Sequence, residues 1–184
     1  MSLAVGLGAD LEEVPTIAFD TAWSGGPALE QWRDAMIDGP RVIDVVVAIW
    51  NDPVGPRSLV DQDLDGWVST MEAPFALWFA ALAVGSERCA DGGQLVAVVD
   101  RTNPKDAAGW GAETAVADAV EVMARSFDQI HGHRGVRINL VTSAARLIGS
   151  PRGATDEVVR AVAMLLSNRG SGVTSTVIHL GGER

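Results

Sequence analysis

Hydrophobic residues alternate between two kinds of segment along this chain. Four apolar runs predict strands: residues 42–49, 94–99, 135–141 and 173–180. The first of them lacks the polar alternation of a half-exposed strand, as expected of a parallel strand covered on both faces. Three segments instead repeat apolar residues every three or four positions, as amphipathic helices do: 65–84, 112–130 and 155–168. Strands that alternate with long helices require right-handed crossovers, so the pattern predicts an α/β fold with a three-layer, doubly wound and mostly parallel sheet.

The first forty residues carry weaker signals. Short apolar runs at 3–7 and 16–19 predict two strands, and residues 27–37 predict a helix. Only about seven residues separate Gly8 from the second strand, so no crossover helix fits between the two strands. Residues 1–184 are therefore expected to form a single domain with a shortened N-terminal part.

The net charge limits the kinds of molecule that the chain can bind, and the cysteine content bears on its cellular location. A net charge of −10 provides no basic face, which excludes nucleic acid and anionic membranes and favours small molecules or proteins. Cys89 is the only cysteine, so no internal disulfide forms, and the first residues do not resemble a secretion signal. The apolar stretch 73–84 is too short to span a bilayer. We expect a cytoplasmic protein.

Three C-terminal segments carry a specific resemblance. The first segment, Gly135-Val136-Arg137-Ile138-Asn139, is similar to a Gly-Ile-Arg-Val-Asn strand. The second, the predicted helix from Asp156 to Ser167, is similar to a Glu-Glu-Val…Leu-Ala-Ser helix, and the third, 173–182, is similar to a closing strand that ends in Gly-Gly. These are patterns of the short-chain dehydrogenase/reductase family. From about residue 44 to 183 the chain resembles that family, which implies a Rossmann-like fold.

The resemblance places the four catalytic positions of the family on residues that cannot perform the proton transfer of the family. The asparagine, serine, tyrosine and lysine of the family fall on Pro74, Asp100, Glu113 and Ala117. In the family the tyrosine transfers a proton at the carbonyl, and the lysine lowers the pKa of that tyrosine. This chain contains no tyrosine, and its only lysine, Lys105, precedes the helix. The resemblance therefore implies a degenerate member without catalytic residues.

The cofactor-binding end of the family pattern is also altered. The glycine-rich turn that holds the pyrophosphate is reduced to Gly6-Leu7-Gly8. Trp50 stands where the cofactor of the family would pass, and only Asp20 and Asn51 remain as vestiges of the binding site. We expect no cofactor. We also expect no metal, because His131 and His133 lack a complete ligand set and are predicted to be surface residues.

Three functions remain open from the sequence. The first is a non-catalytic subunit that pairs with itself or with an active family member through helices 65–84 and 112–130. The second is a binding protein for an acyl or aromatic compound, with Trp50, Asp100, Trp110 and Glu113 around the former substrate cleft. The third is a divergent enzyme in which Asp100 and Glu113 form an acid/base pair; otherwise these carboxylates are solvated or paired with Arg101 and Lys105.

Loss of the glycine turn predicts that the chain does not bind NAD(H) or NADP(H) appreciably. Calorimetric titration with each dinucleotide measures this directly. A dissociation constant below about 100 μM, or more than roughly 5.5 kcal/mol of binding free energy, would contradict the prediction and reveal a different phosphate-binding element.

Overall fold

The structure is a computed structural model that describes residues 2–5, 16–17, 26–49, 55–103, 105, 107–144, 155–167, 170 and 172–181. Asp20, Trp50 and Asn51, which the sequence analysis placed at the cofactor end, lie outside the described residues.

One sheet organises the described chain. Its strands are β1 (Ser2–Val5), β2 (Thr16–Ile17), β3 (Val42–Ala48), β4 (Cys89–Asp100), β5 (Arg137–Ser143) and β6 (Val177–Leu180). Their order across the sheet is β2-β1-β3-β4-β5-β6, and every described pairing is parallel. The predicted parallel, Rossmann-like sheet is confirmed.

Helices cover both faces of this sheet. They are α1 (Gly26–Ile37), α2 (Leu64–Trp67), α3 (Ala73–Arg88), α4 (Gly111–His131) and α5 (Asp156–Leu166). Val45 and Val47 of β3 pack into a core with α1, α3 and α4, whereas Val46 and Ala48 pack on the opposite face with α5. Successive strand residues point to opposite faces, so an apolar run without alternation serves both cores. The predicted three layers follow from this.

Pro74 changes the geometry of one predicted helix without ending it. A π-helical turn, Val68–Glu72, joins α2 to α3, so that Leu64–Arg88 forms one continuous helix. Proline has no N–H to donate to the carbonyl four residues earlier, and its ring crowds that carbonyl; a wider turn relieves both effects. At 25 residues the helix is long and apolar enough to cross a membrane by length and composition, unlike the shorter stretch considered in the sequence. Its buried side chains instead pack on the sheet as a core helix.

The strand predicted over 94–99 begins earlier in the structure. Gly92 and Gly93, which have the composition of a loop, lie inside β4, which begins at Cys89. The pairing with β3 shifts register at this point, from Val42 opposite Cys89 to Asp44 opposite Gln94. Gly92 has a φ of +75°, and a Cβ at Gly93 would lie 2.6 Å from the carbonyl oxygen of Ile43. The glycines therefore form a bulge in the strand.

The last strand begins four residues later than the apolar run suggests. Ser175 has a φ of +51°, which is incompatible with a strand. Asp128 of α4 holds this segment: its Oδ1 accepts hydrogen bonds from Thr174 Oγ1 (2.5 Å) and the backbone N of Ile138 (2.9 Å), and its Oδ2 accepts one from Ser175 Oγ (2.6 Å). A side chain from α4 thus positions the turn that leads into β6.

Gly85 permits the closest contact between α3 and the sheet, and its replacement tests that contact. A Cβ at Gly85 would lie 2.7 Å from Val47 Cγ2 and 3.0 Å from Leu95 Cδ1. We expect Gly85→Ala to lower the free energy of unfolding by about 1–3 kcal/mol, because overpacking outweighs the gain in helix propensity. Urea unfolding measures the difference.

Gly132→Ala is the matched control, because a Cβ there meets no atom within 4 Å and the backbone is helical. It should be neutral or slightly stabilising. Equal effects of the two substitutions would show that α3 does not approach the sheet this closely.

Candidate functional site

The candidate site lies at the carboxyl ends of β3, β4 and β5. Open α/β sheets bind ligands at this edge, where parallel strands end together. Asp100, the last residue of β4, is half-buried and pairs in register with Ser143 of β5. The backbone N of Arg101 donates to the carbonyl oxygen of Ser143 (3.0 Å), which continues the pairing one residue beyond the strand. Asp100 is therefore fixed at the carboxyl end of β4, between the ends of β3 and β5.

Arg101 anchors the segment after β4 to α4. Its Nη2 lies 2.7 Å from Asp118 Oδ1, and its Nη1 lies 3.5 Å from Glu121 Oε2. Arg101 was predicted to pair with Asp100 or Glu113, and in the structure its guanidinium pairs with Asp118 and Glu121. Lys105, the other residue considered, is exposed.

Glu113 occupies the first turn of α4, next to the buried ring of Trp110. Burial raises the pKa of the Glu113 carboxyl, while its own backbone N–H and the Arg57 guanidinium act in the opposite direction. Burial is the one cause that raises it. An acid/base pair splits its pKa values through the repulsion between two carboxylates, so the perturbation at Glu113 has a different origin.

Ala117 and Pro74, the other two residues that the resemblance implied at catalytic positions, have packing roles in this chain. Ala117 is 1% exposed and belongs to the core between α4 and the sheet. Pro74 lies in the first turn of α3, immediately after the π-helical turn. Neither side chain carries a titratable group. Their roles in this chain are to pack the core and to shape the helix.

A cavity of about 540 Å³ opens beside this edge. It is lined by residues of the segments before α2 and before α4: Pro56, Arg57, Ser58, Val60, Ala107, Gly109 and Gly111. The backbone N of Arg57 donates to the carbonyl oxygen of Gly109 (2.7 Å), and a Cβ at Gly109 would lie 2.7 Å from Pro56 Cβ. Gly109, with a φ of +83°, permits this close approach. Neither Asp100, Trp110 nor Glu113 is among the lining residues; Trp110 and Glu113 flank it along the chain.

The histidines and the cysteine lie in separate surroundings. Among the residues that the structure describes, no group of three or more possible ligands is positioned to hold a metal. His133 is exposed as predicted, but His131 is buried, because the last turn of α4 folds against the end of α3. His179 lies on β6, with its Nδ1 2.8 Å from Thr142 Oγ1. Burial raises the pKa of the Cys89 thiol to about 11, so this thiol stays protonated and unreactive at neutral pH.

Comparison with known proteins shows the fold. No family model matches the chain, and no curated protein matches its sequence. Among solved structures, it is similar to BdcA of E. coli, crystallised with NADPH, at 17% identity over 98% of this chain and 93% of that chain, with a TM-score of 0.69. It is similar to a short-chain dehydrogenase/reductase of Serratia marcescens at 14% identity over 98% and 96% of the two chains, with a TM-score of 0.70.

A dehydrogenase/reductase of Sinorhizobium meliloti gives 16% identity over 92% of this chain and 75% of that chain, with a TM-score of 0.66. The chain thus has the fold of the short-chain dehydrogenases/reductases, as the sequence resemblance implied. The identities are low enough that the likeness concerns the fold alone. Activity and partners must be argued from the residues of this chain.

The raised pKa of Glu113 predicts a pH-dependent effect of neutralising this residue. The folded state binds the Glu113 proton more tightly than the unfolded state, so stability is lost as the pH rises from the ordinary pKa of 4.5 through the folded value. We expect Glu113→Gln to have a higher free energy of unfolding than the wild type at neutral pH and a similar one in acid.

Denaturant unfolding at several pH values measures this difference. Glu72→Gln is the control, because Glu72 is an exposed carboxylate on the π-helical turn. A Glu113→Gln protein that is less stable than the wild type at neutral pH would instead show that the fold requires the negative charge.

Proposed function

We propose that this chain is a non-catalytic protein with the short-chain dehydrogenase/reductase fold, which acts as a structural subunit by pairing with a second copy of itself through α3 and α4. The observation that carries the proposal is an apolar face on these two helices that remains exposed in the single chain. The proposal has two parts: the chain lacks the catalytic groups of the family, and it keeps a surface for pairing on α3 and α4. Each part rests on separate residues.

The loss of chemistry is supported by what stands at the former catalytic positions. A chain without tyrosine has no phenol to donate a proton, and its single lysine, Lys105, is exposed and outside α4. Restoring a lysine at Ala117 would bury an ammonium group in the core. Glu113 is perturbed by burial and not by a second carboxylate, which gives little support to a new acid pair with Asp100.

The interface is supported by large apolar side chains on the outer side of α3 and α4. Phe75 and Phe79 of α3 are 44% and 45% exposed, and Val122 and Ile130 of α4 are 65% and 57% exposed. The rings of Phe79 and Phe127 contact each other, with centroids 6.2 Å apart, so the two helices contribute to one surface. We call Phe75, Phe79, Val122, Phe127 and Ile130 the apolar face. Phe127 is partly buried, whereas the other four side chains are exposed, and large exposed apolar side chains on neighbouring helices favour an interaction surface.

The small residues of α4 favour close helix packing. Ala115 and Ala119 do not belong to the buried stripe of α4, which consists of Ala112, Val116, Ala117, Val120, Ala124 and His131. Ala115 is exposed and Ala119 is half-buried. These two alanines therefore remain available at the outer edge of the helix, where a partner helix can approach the backbone closely.

A second copy is the partner that this geometry favours. Two identical helix pairs related by a two-fold axis present the same face to each other, so one surface satisfies both subunits. The phenyl rings and the aliphatic side chains would then be removed from water at roughly 25 cal/mol for each Å² of apolar surface.

The cavity beside the candidate site supports a second function, the binding of a small molecule. Its volume of about 540 Å³ lies within the range of small-molecule sites. Pro56 and Val60 supply an apolar wall, and Arg57 supplies the one charge among the lining residues that the structure describes. These residues fit an acyl or aromatic compound with an acidic group.

Ala119→Arg tests the pairing surface. We expect the wild type to sediment as a dimer at micromolar concentration and Ala119→Arg to raise the dissociation constant at least about 100-fold, because a guanidinium without a partner would be buried between the helices. Ala163→Arg is the matched control, since Ala163 is an exposed alanine on α5, on the other side of the sheet. The control should remain dimeric.

The alternatives give distinct results in native mass spectrometry of the purified protein. A wild-type monomer at micromolar concentration contradicts the proposed pairing, and a monomer with a retained small molecule supports the cavity as the functional site. A stoichiometric complex with a tyrosine- and lysine-containing relative would show that the partner is an active enzyme. Turnover of a carbonyl compound by the chain alone would overturn the non-catalytic assignment.

A further inference from the structure

A buried histidine lies directly behind the apolar face. His131, the last residue of α4, is 5% exposed, and its ring stacks on Phe127 with an interplanar angle of 10° and centroids 6.2 Å apart. Phe127 in turn contacts Phe79 of α3. A row of three rings therefore runs from the interior to the surface through which we propose that two copies pair.

The contacts of His131 indicate which ring nitrogen carries the proton when the ring is neutral. Arg134 Nη1 lies 3.3 Å from His131 Nδ1, and a guanidinium only donates hydrogen bonds, so Nδ1 is the acceptor and the ring proton resides on Nε2. Nε2 lies 3.9 Å from Glu87 Oε1, beyond hydrogen-bond distance. Arg134 is held in place by Asp91, whose Oδ1 accepts from Nε at 2.9 Å, and by the carbonyl oxygen of Cys89.

The charges around His131 are balanced while the ring is neutral. They come from α3, β4, the turn after α4 and the residue before β3: Glu87, Asp91, His133, Arg134 and Arg41. Two carboxylates thus face two guanidinium groups, and Arg41 and Arg134 each lie within 4 Å of both carboxylates. A proton on Nδ1 would add a third cation and place two donors 3.3 Å apart.

We propose that His131 makes self-association sensitive to pH, such that its protonation weakens the pairing of α3 and α4. The protonated ring must turn away from Arg134, because Asp91 and Cys89 restrain the guanidinium. Turning the ring ends its parallel stacking on Phe127 and shifts the Phe127–Phe79 contact within the apolar face. The inference rests on the proposed function, since it concerns the same surface.

The pH range of the effect follows from the proton affinity of the ring. Burial lowers the pKa of His131 below its ordinary 6.5, and Arg134 acts in the same direction, while Glu87 opposes them. The ring is therefore neutral above about pH 6.5, and the neutral contact is lost only as the pH falls through the lowered pKa of the folded chain. Acidification also reduces the net charge of −10, which by itself would strengthen association between copies. A weakening in acid thus has the opposite sign to the general electrostatic effect.

Sedimentation equilibrium at about pH 7.5 and about pH 5.5 tests the inference. We expect the dissociation constant of the wild-type dimer to rise at least about fivefold in acid. His131→Gln should show no such rise, because its amide oxygen still accepts a hydrogen bond from Arg134 but does not titrate. His133→Gln is the control: it removes the exposed histidine of the same turn and should retain the pH dependence of the wild type.

Two results would overturn the inference: a wild-type dimer whose affinity does not fall in acid, or a His131→Gln dimer that keeps the wild-type pH dependence. A chain that is monomeric at both pH values contradicts the proposed function instead. Hydrogen–deuterium exchange then decides the proton link separately. Acid should increase exchange of residues 75–83 and 119–131, beyond its intrinsic pH dependence, in the wild type but not in His131→Gln; equal behaviour of the two proteins would refute the link.

Discussion

The central constraint on this structure is that β3, β4 and β5 must be covered on both faces. Their residues alternate between two cores, so that Leu95 and Ala97 pack toward α3 and α4 while Val96 and Val98 pack toward α5. An apolar strand with no polar face is stable only between two helical layers. The parallel pairing, the long crossover helices and the convergence of strand ends at one edge all follow from that requirement.

Sequence periodicity was sufficient for the architecture because each central element carries a strong pattern. It failed where one backbone conformation or one tertiary contact decides the outcome. The Gly92-Gly93 pair has the composition of a loop. The residues of β4 on both sides of it nevertheless pair with β3, so the two glycines form a bulge. The burial of His131 depends on how the ends of α3 and α4 meet, and a local pattern contains no information about that contact.

The candidate site was only partly predictable, for a related reason. Strand ends locate the edge, and Asp100 lies there as expected. The cavity, however, is lined by the segments around Arg57 and Gly109, which come together through a backbone hydrogen bond between distant parts of the chain. The sequence could not predict the φ of +83° at Gly109, because the residues around this glycine also occur in ordinary loops.

The hydrogen bonds of Asp128 have a consequence for how the sheet is completed. A four-residue edge strand such as β6 has few ladder bonds to fix its alignment, and a slip by one residue would exchange its two faces. Because one carboxylate of α4 binds both the backbone N of Ile138 in β5 and the turn before β6, it sets the point at which the last strand starts. A helix that precedes β6 in the chain thereby fixes the alignment of this edge strand. The fixed alignment prevents β6 from pairing out of register with β5 or with another molecule.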